Sequence, residues 1–188
     1  LGRDRERRAR LNVIMDMPVP STAALLPFHL WQPEHRVAPV VFASPHSGRD
    51  YPPEFVALAR LDAIGLRRSE DSFVDELYTQ APVQGMPLLA ATFPRAFCDP
   101  NREAWELDPA MFEEPLPAWV NTASARVGAG LGTIARIVAS GEAIYRDKLP
   151  FAEAERRVAG YWQPYHDCLA RLIEETVASF GTSLLIDC

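Results

Sequence analysis

Apolar residues recur along this chain in two rhythms, short unbroken runs and three-to-four spacing, which together predict alternating strands and helices. The run Ala38-Pro-Val-Val-Phe-Ala-Ser44 is short and β-rich, which predicts a buried strand ending in the turn Pro45-His46-Ser47-Gly48. A second strand is expected over Met86–Phe93, set off by Gly85 and Pro87, and a third over Pro94–Asp99, closed by Pro100. Residues 53–60 suit one short helix with proline near its start. Ser69–Gln80 carries a stronger helical pattern. Ser69 can cap, Glu70 and Asp71 suit the positive end of the helix dipole, and Phe73, Val74 and Leu77 form an apolar stripe. After Pro150, the residues Phe151, Ala154, Val158, Tyr161, Tyr165, Leu169, Leu172, Thr176 and Phe180 keep helical spacing. Pro164 should kink or divide that long helix, and Gly181 should stop it. Ser183–Cys188 then predicts another buried strand, with Asp187 at its tip.

The remaining segments lack a period. Residues 18–37 read as a lead-in loop, and 103–117, acidic, proline-rich and aromatic, as a long surface loop of the kind that forms lids or binding loops. Residues 122–140 are expected to be helical only in part, because Gly128, Gly130 and Gly132 interrupt them. Strands alternating with helices indicate an α/β sheet covered on both faces. One domain is expected over 26–188, with 1–25 a disordered or overextended start, since Met15 and Met17 lie just downstream of a basic opening. A basic targeting arm is the minority reading of that opening. A polypeptide that ends on a core strand reads as an incomplete domain.

Composition narrows the function. With 48% hydrophobic and 23% charged residues the chain can bury a core. A net charge of −6 argues against a nucleic-acid surface, although a local arginine can still attract a small anion. No apolar run is long enough to span a bilayer. Cys98, Cys168 and Cys188 are odd in number and without CxxC spacing, which fits a reducing, cytoplasmic setting and thiols that are not nucleophiles.

Four groups of residues could carry chemistry. His46 follows a strand and has small neighbours; it is either a hydrogen-bonded loop histidine or a nitrogen ligand for zinc. Glu70 and Asp71 are either first-turn helix residues or the carboxylates that would complete a metal site with His46, while Asp75 and Glu76 should be solvated or paired with arginine. Arg95, Asp99, Asn101 and Arg102 either bind a carboxylate, which guanidinium grips two-pronged, or make a polar turn. His166 lies beside the apolar stripe of the long helix and reads as a satisfied, partly buried histidine.

The order of these blocks is more specific than any one of them. Ser44-Pro-His-Ser-Gly48, Ser69-Glu-Asp-Ser-Phe-Val-Asp-Glu-Leu77, Pro94-Arg-Ala-Phe-Cys-Asp-Pro-Asn-Arg102, and Tyr165-His166 through Leu184-Leu-Ile-Asp-Cys188 resemble successive blocks of the N-formylglutamate amidohydrolase family. The resemblance covers roughly residues 26–188. It implies a three-layer α/β sandwich with a mostly parallel or mixed central sheet, similar to zinc carboxypeptidases and to succinylglutamate and aspartate deacylases. It also implies zinc-dependent hydrolysis of N-formyl-L-glutamate to formate and L-glutamate, in histidine degradation. His46 would be one zinc ligand and Asp71, ahead of Glu70, the second; Arg95, Asn101 and Arg102 would hold the carboxylates of a small anionic N-acyl amino acid. Members of the family continue past the Asp-Cys pair with His-Ser-Met-Pro, whose His is the expected third ligand, and with a later Glu as general base. Neither is in this sequence, so the 188-residue chain is expected to be inactive or nearly so. Two other readings stay open: a non-catalytic carboxylate-binding protein, and a hydrolase of another N-acyl amino acid.

Overall fold

Four short strands form one mixed sheet in the order β1-β3-β2-β4. The computed structural model describes residues 26–188, so the expected extension over 1–25 lies outside the described residues. Strand β1 (Phe28–Trp31) runs antiparallel to β3 (Leu88–Ala91), pairing Phe28 with Ala91 and Trp31 with Leu88. Strand β2 (Val40–Ser44) runs parallel to β3 on one side and to β4 (Leu184–Asp187) on the other. All four residues of β3 are buried, as befits a strand with a neighbour on each side. In β2, Val41 and Ala43 point inward, the period-two burial that a pleated strand imposes.

The last strand departs from expectation. It forms over the expected residues, but Leu184 and Leu185 are 57% and 40% exposed rather than buried. The reason is its place in the sheet: β4 pairs with β2 alone, and among the described residues no strand lies beyond it.

The helices divide into one long rod and several single turns. Helix α1 (Pro53–Leu58) buries Phe55, and α2 (Ala63–Leu66) is capped by the Asp62 carboxylate on the Gly65 N–H. The expected helix over 69–80 does not form as one element. A 3₁₀ turn (Arg67–Ser69) gives way to extended backbone at Glu70, the Asp71 N–H bonds to the His46 carbonyl at 3.0 Å, and Phe73 adopts φ 64°. Only the single turns α3 (Val74–Leu77) and α4 (Gln80–Val83) follow. Phe73 and Leu77 are exposed, so the stripe faces solvent, and the Ser69 hydroxyl accepts the Ala139 N–H instead of capping. Tertiary bonding to the His46 turn has overridden the local helical pattern.

Pro94–Asp99 is likewise a tight turn and not a third strand, because the Phe97 and Cys98 amides both bond back to the Pro94 carbonyl. The expected surface loop over 103–117 is exposed at Glu103, Pro109, Ala110 and 113–115, and it anchors itself through a few buried apolar side chains. Leu107, Met111 and Phe112 join Val120, Ile134, Leu149 and Ala154 in a second apolar cluster. Within 122–140 only α5 (Ala125–Gly128) is helical.

The rod comprises α6 (Phe151–Arg157), a π turn (Val158–Trp162) and α7 (Gln163–Phe180). Pro164 sits just past the π turn. It has no N–H to continue the ladder, and the widened turn lets the Gln163 N–H reach Val158 O. Gly181 then takes φ 76° and ends the rod. Tyr165, Cys168 and Leu172 lie in the main core with Val41, Leu89 and Ala91 of the sheet, and so fix the rod against it. No described helix is long and apolar enough to cross a membrane.

Candidate active site

The carboxyl end of β2 delivers the first functional side chain. Chain leaving a central parallel strand opens into the crevice where α/β sheets place their sites. The turn after Ser44 is held by a buried 2.8 Å hydrogen bond between the Ser44 and Ser47 hydroxyls, and Gly48 then passes against the end of β3. A Cβ on Gly48 would lie 2.1 Å from Phe93 O, so only glycine fits. This packing buries His46 and fixes its ring.

His46 stands between two carboxylates. Its Nε2–H donates to Asp99 Oδ1 at 2.8 Å, and its Nδ1 lies 3.4 Å from Asp71 Oδ2. The first bond leaves Nδ1 as the free ring nitrogen; in the neutral ring it carries a lone pair, which then faces a carboxylate oxygen that is also an acceptor. Two acceptors held together in this way call for a cation or proton between them. An imidazole nitrogen and a carboxylate oxygen are also donors that zinc accepts, and Asp99 behind the ring is the usual carboxylate brace of a metal-binding histidine. The pair therefore fits a metal ion. Among the described residues no group of three or more His, Cys, Asp or Glu gathers into a metal cluster.

Asp99 is the hub of the site. Besides His46 it receives Arg95 Nη2 at 3.1 Å, the Asn101 backbone N–H at 2.9 Å, and Arg102 Nη2 at 3.6 Å. Burial pushes its carboxyl pKa up, but the hydrogen bond and charge of His46, with the charges of Arg95 and Arg102, outweigh burial and hold it below its ordinary value. The tight turn at Pro94 brings the two arginines round the acid, four residues before it and three after.

Only some of the residues expected from sequence come together. His46, Asp71, Asp99, Arg95 and Arg102 come together; Arg95 Nη1 also lies 3.7 Å from Asp71 Oδ2. Glu70 turns elsewhere, accepting from the Tyr51 hydroxyl at 3.1 Å, Arg67 at 2.8 Å and the Ser72 hydroxyl at 2.9 Å. Burial, then the charge of Glu70, raises the Tyr51 phenol and keeps it protonated as a donor. The Asn101 side chain donates to Asp187 on β4 at 2.8 Å. His166 donates to the Pro100 carbonyl at 2.7 Å and stacks on Trp162, and Asp75 and Glu76 are paired with Arg49. Cys98 is buried, with its thiol pushed up to about 12 by that burial, which makes it a poor nucleophile.

A cavity of about 230 Å³ opens beside this cluster, lined by Asp71, Arg95, Asp99 and Arg102, by Leu131, Ala135 and Ile137, and by Arg68. Drug-sized ligands occupy sites of about 300–1,000 Å³, so this one suits an amino-acid-sized molecule. Sequence reasoning missed the contact between Asp99 and His46, because nothing local links residues 53 positions apart. It also missed Arg68, which reads as an ordinary surface charge.

The family model described as N-formylglutamate amidohydrolase matches residues 38–188. The chain belongs to the N-formylglutamate amidohydrolase family. Among solved structures it is similar to the N-formylglutamate amidohydrolase of Ralstonia eutropha JMP134, with 39% identity and a TM-score of 0.80 over 87% of this chain and 57% of that one. It shares a fold with the gene product Atu2144 of Agrobacterium tumefaciens, at 15% identity and a TM-score of 0.55, over 86% of this chain and 55% of that one. The chain thus spans less than two thirds of the length of either structure. No curated protein matches it.

Proposed function

We propose that this N-formylglutamate amidohydrolase domain acts in the zinc-dependent hydrolysis of N-formyl-L-glutamate to formate and L-glutamate. The observation that carries the reading is the His46–Asp71 pair, 3.4 Å apart, whose Asp71 lines the arginine-bearing cavity. His46 Nδ1 and Asp71 would hold the metal, with Asp99 fixing the imidazole from behind. A bound zinc would supply a water acidified to a pKa of about 7 and a polarised formyl carbonyl.

The protein's own groups do the rest. The apolar wall of Leu131, Ala135 and Ile137 limits water around the formamide. The guanidinium groups of Arg95 and Arg102 offset the charge of Asp71 and Asp99, and they draw an anionic substrate into a site on an otherwise acidic protein. Hydrolysis adds water across the C–N bond, the formyl carbon leaving as formate and the nitrogen as the amino group of glutamate. Zinc at catalytic sites normally takes three protein ligands, and the described residues bring two of them together, His46 and Asp71.

The test is release of formate and glutamate in equal amounts by protein stripped with chelator and then given zinc in steps. Release should rise with zinc and fall to background in His46→Ala. Release that ignores zinc and survives His46→Ala sinks the metal reading. Saturable binding without release at any zinc concentration favours a carboxylate-binding protein.

A further inference from the structure

We infer that Arg68 is the residue that recognises the side-chain carboxylate of the substrate, and that Glu142 occupies its guanidinium until substrate takes that place. The inference deepens the reading above and rests on it. Three arginines line the cavity, and they differ in how they are engaged. Arg95 is bound to Asp99 and lies against Asp71. Arg102 is fixed by the carbonyls of Leu131 and Asn101, at 2.9 and 2.6 Å, and its remaining nitrogen faces Asp99. Both are therefore committed to the protein's own groups. Arg68 is half-exposed, and its partners are two side chains of a surface turn, Ser140 at 3.2 Å and Glu142.

The chemistry of that pairing is specific. Glu142 presents to Arg68 the same carboxyl-tipped ethylene arm that a glutamyl substrate would bring. An exposed ion pair of this kind is weak, because water screens it and both long side chains lose freedom in forming it, so exchange for an incoming carboxylate costs little. Glu142 sits on a closed surface turn, where the Ser140 hydroxyl also donates to its carboxylate at 2.9 Å. Val138 N–H bonds to Glu142 O and Gly141 N–H to Val138 O, while Gly141, at φ 84°, has nothing within 4 Å of where a Cβ would be. The Ser69 hydroxyl anchors the other side of the turn at the Ala139 N–H, so the backbone on both sides is fixed and exchange at Arg68 asks only for rotation of the exposed Glu142 side chain.

Charge supports the same assignment. Arg68, Arg95 and Arg102 face Asp71 and Asp99 in the cavity, and Arg68 is the cation left over once the other two are matched. The test is calorimetric titration of the zinc-loaded protein with N-formyl-L-glutamate and with N-formyl-L-glutamine, which has the same shape without the side-chain charge. In Arg68→Gln, affinity for N-formylglutamate should fall about tenfold or more, and that for N-formylglutamine should change by less than about twofold. Glu142→Gln should tighten N-formylglutamate about two- to threefold. Equal loss of both ligands in Arg68→Gln, or no loss of either, overturns the assignment and leaves the functional reading standing. If the wild type binds neither ligand, both fall. Thermal unfolding of each variant, expected to match wild type, separates binding from folding.

Discussion

Asp99 joins the two halves of the site at the level of single atoms. One carboxylate orients His46 and also gathers Arg95 and Arg102. Asp99→Asn keeps the shape but removes the charge, so zinc affinity should fall about 10- to 100-fold, as for other carboxylates behind a metal-binding histidine. The same variant should lose about 2 kcal/mol of stability at pH 7, read by urea unfolding, because buried hydrogen bonds to a charged group are lost. His166 sets a different dependence. Burial lowers its pKa more than the Pro100 carbonyl and the charge of Asp167 raise it, and the net shift is down. A histidine depressed in the folded state binds fewer protons there than when unfolded. Its contribution is therefore fully present above the unfolded value of about 6.5 and lost as pH falls through the folded value. Unfolding free energies measured from pH 8 to pH 5 should fall less steeply in His166→Gln than in wild type.

At the scale of elements, the turn that follows β2 and packs on the Thr92–Phe93 backbone just past β3 governs the site. Gly48→Ala puts a methyl group into the Phe93 carbonyl and should cost about 1–3 kcal/mol while displacing His46, seen as lower thermal stability together with weaker zinc binding. Elements carrying their own periodicity were legible in the sequence. Strands β2 and β3, the rod from Phe151 to Phe180, its break beside Pro164 and its stop at Gly181 all follow from local pattern. The segment over 69–80 did not, because its form depends on a partner remote in sequence: the Asp71 amide bonds to the His46 carbonyl and so draws the chain away from a helix. The same contact brings the Asp71 carboxylate to His46 and leaves that of Glu70 to Tyr51 and Arg67. Local pattern named the acidic pair, and only the fold tells its two members apart.

At the scale of the molecule, the sheet and the rod form a rigid frame with the site at one end. Arg157, fully buried, ties the rod to the Pro94 turn by donating to Phe97 O at 2.8 Å and to the Tyr145 hydroxyl at 2.6 Å, with Glu153 as its counter-ion. That turn carries Arg95, Asp99 and Arg102, so the rod positions the cavity without lining it. In the reading we propose, His46 and Asp71, not Glu70, hold the metal. The most direct measurement is zinc binding by competition with a chromophoric chelator in wild type, His46→Ala, Asp71→Asn and Glu70→Gln. One zinc site is expected in wild type, lost in His46→Ala and Asp71→Asn and kept in Glu70→Gln. Zinc binding that survives both of the first two variants, or vanishes with Glu70→Gln alone, would contradict it.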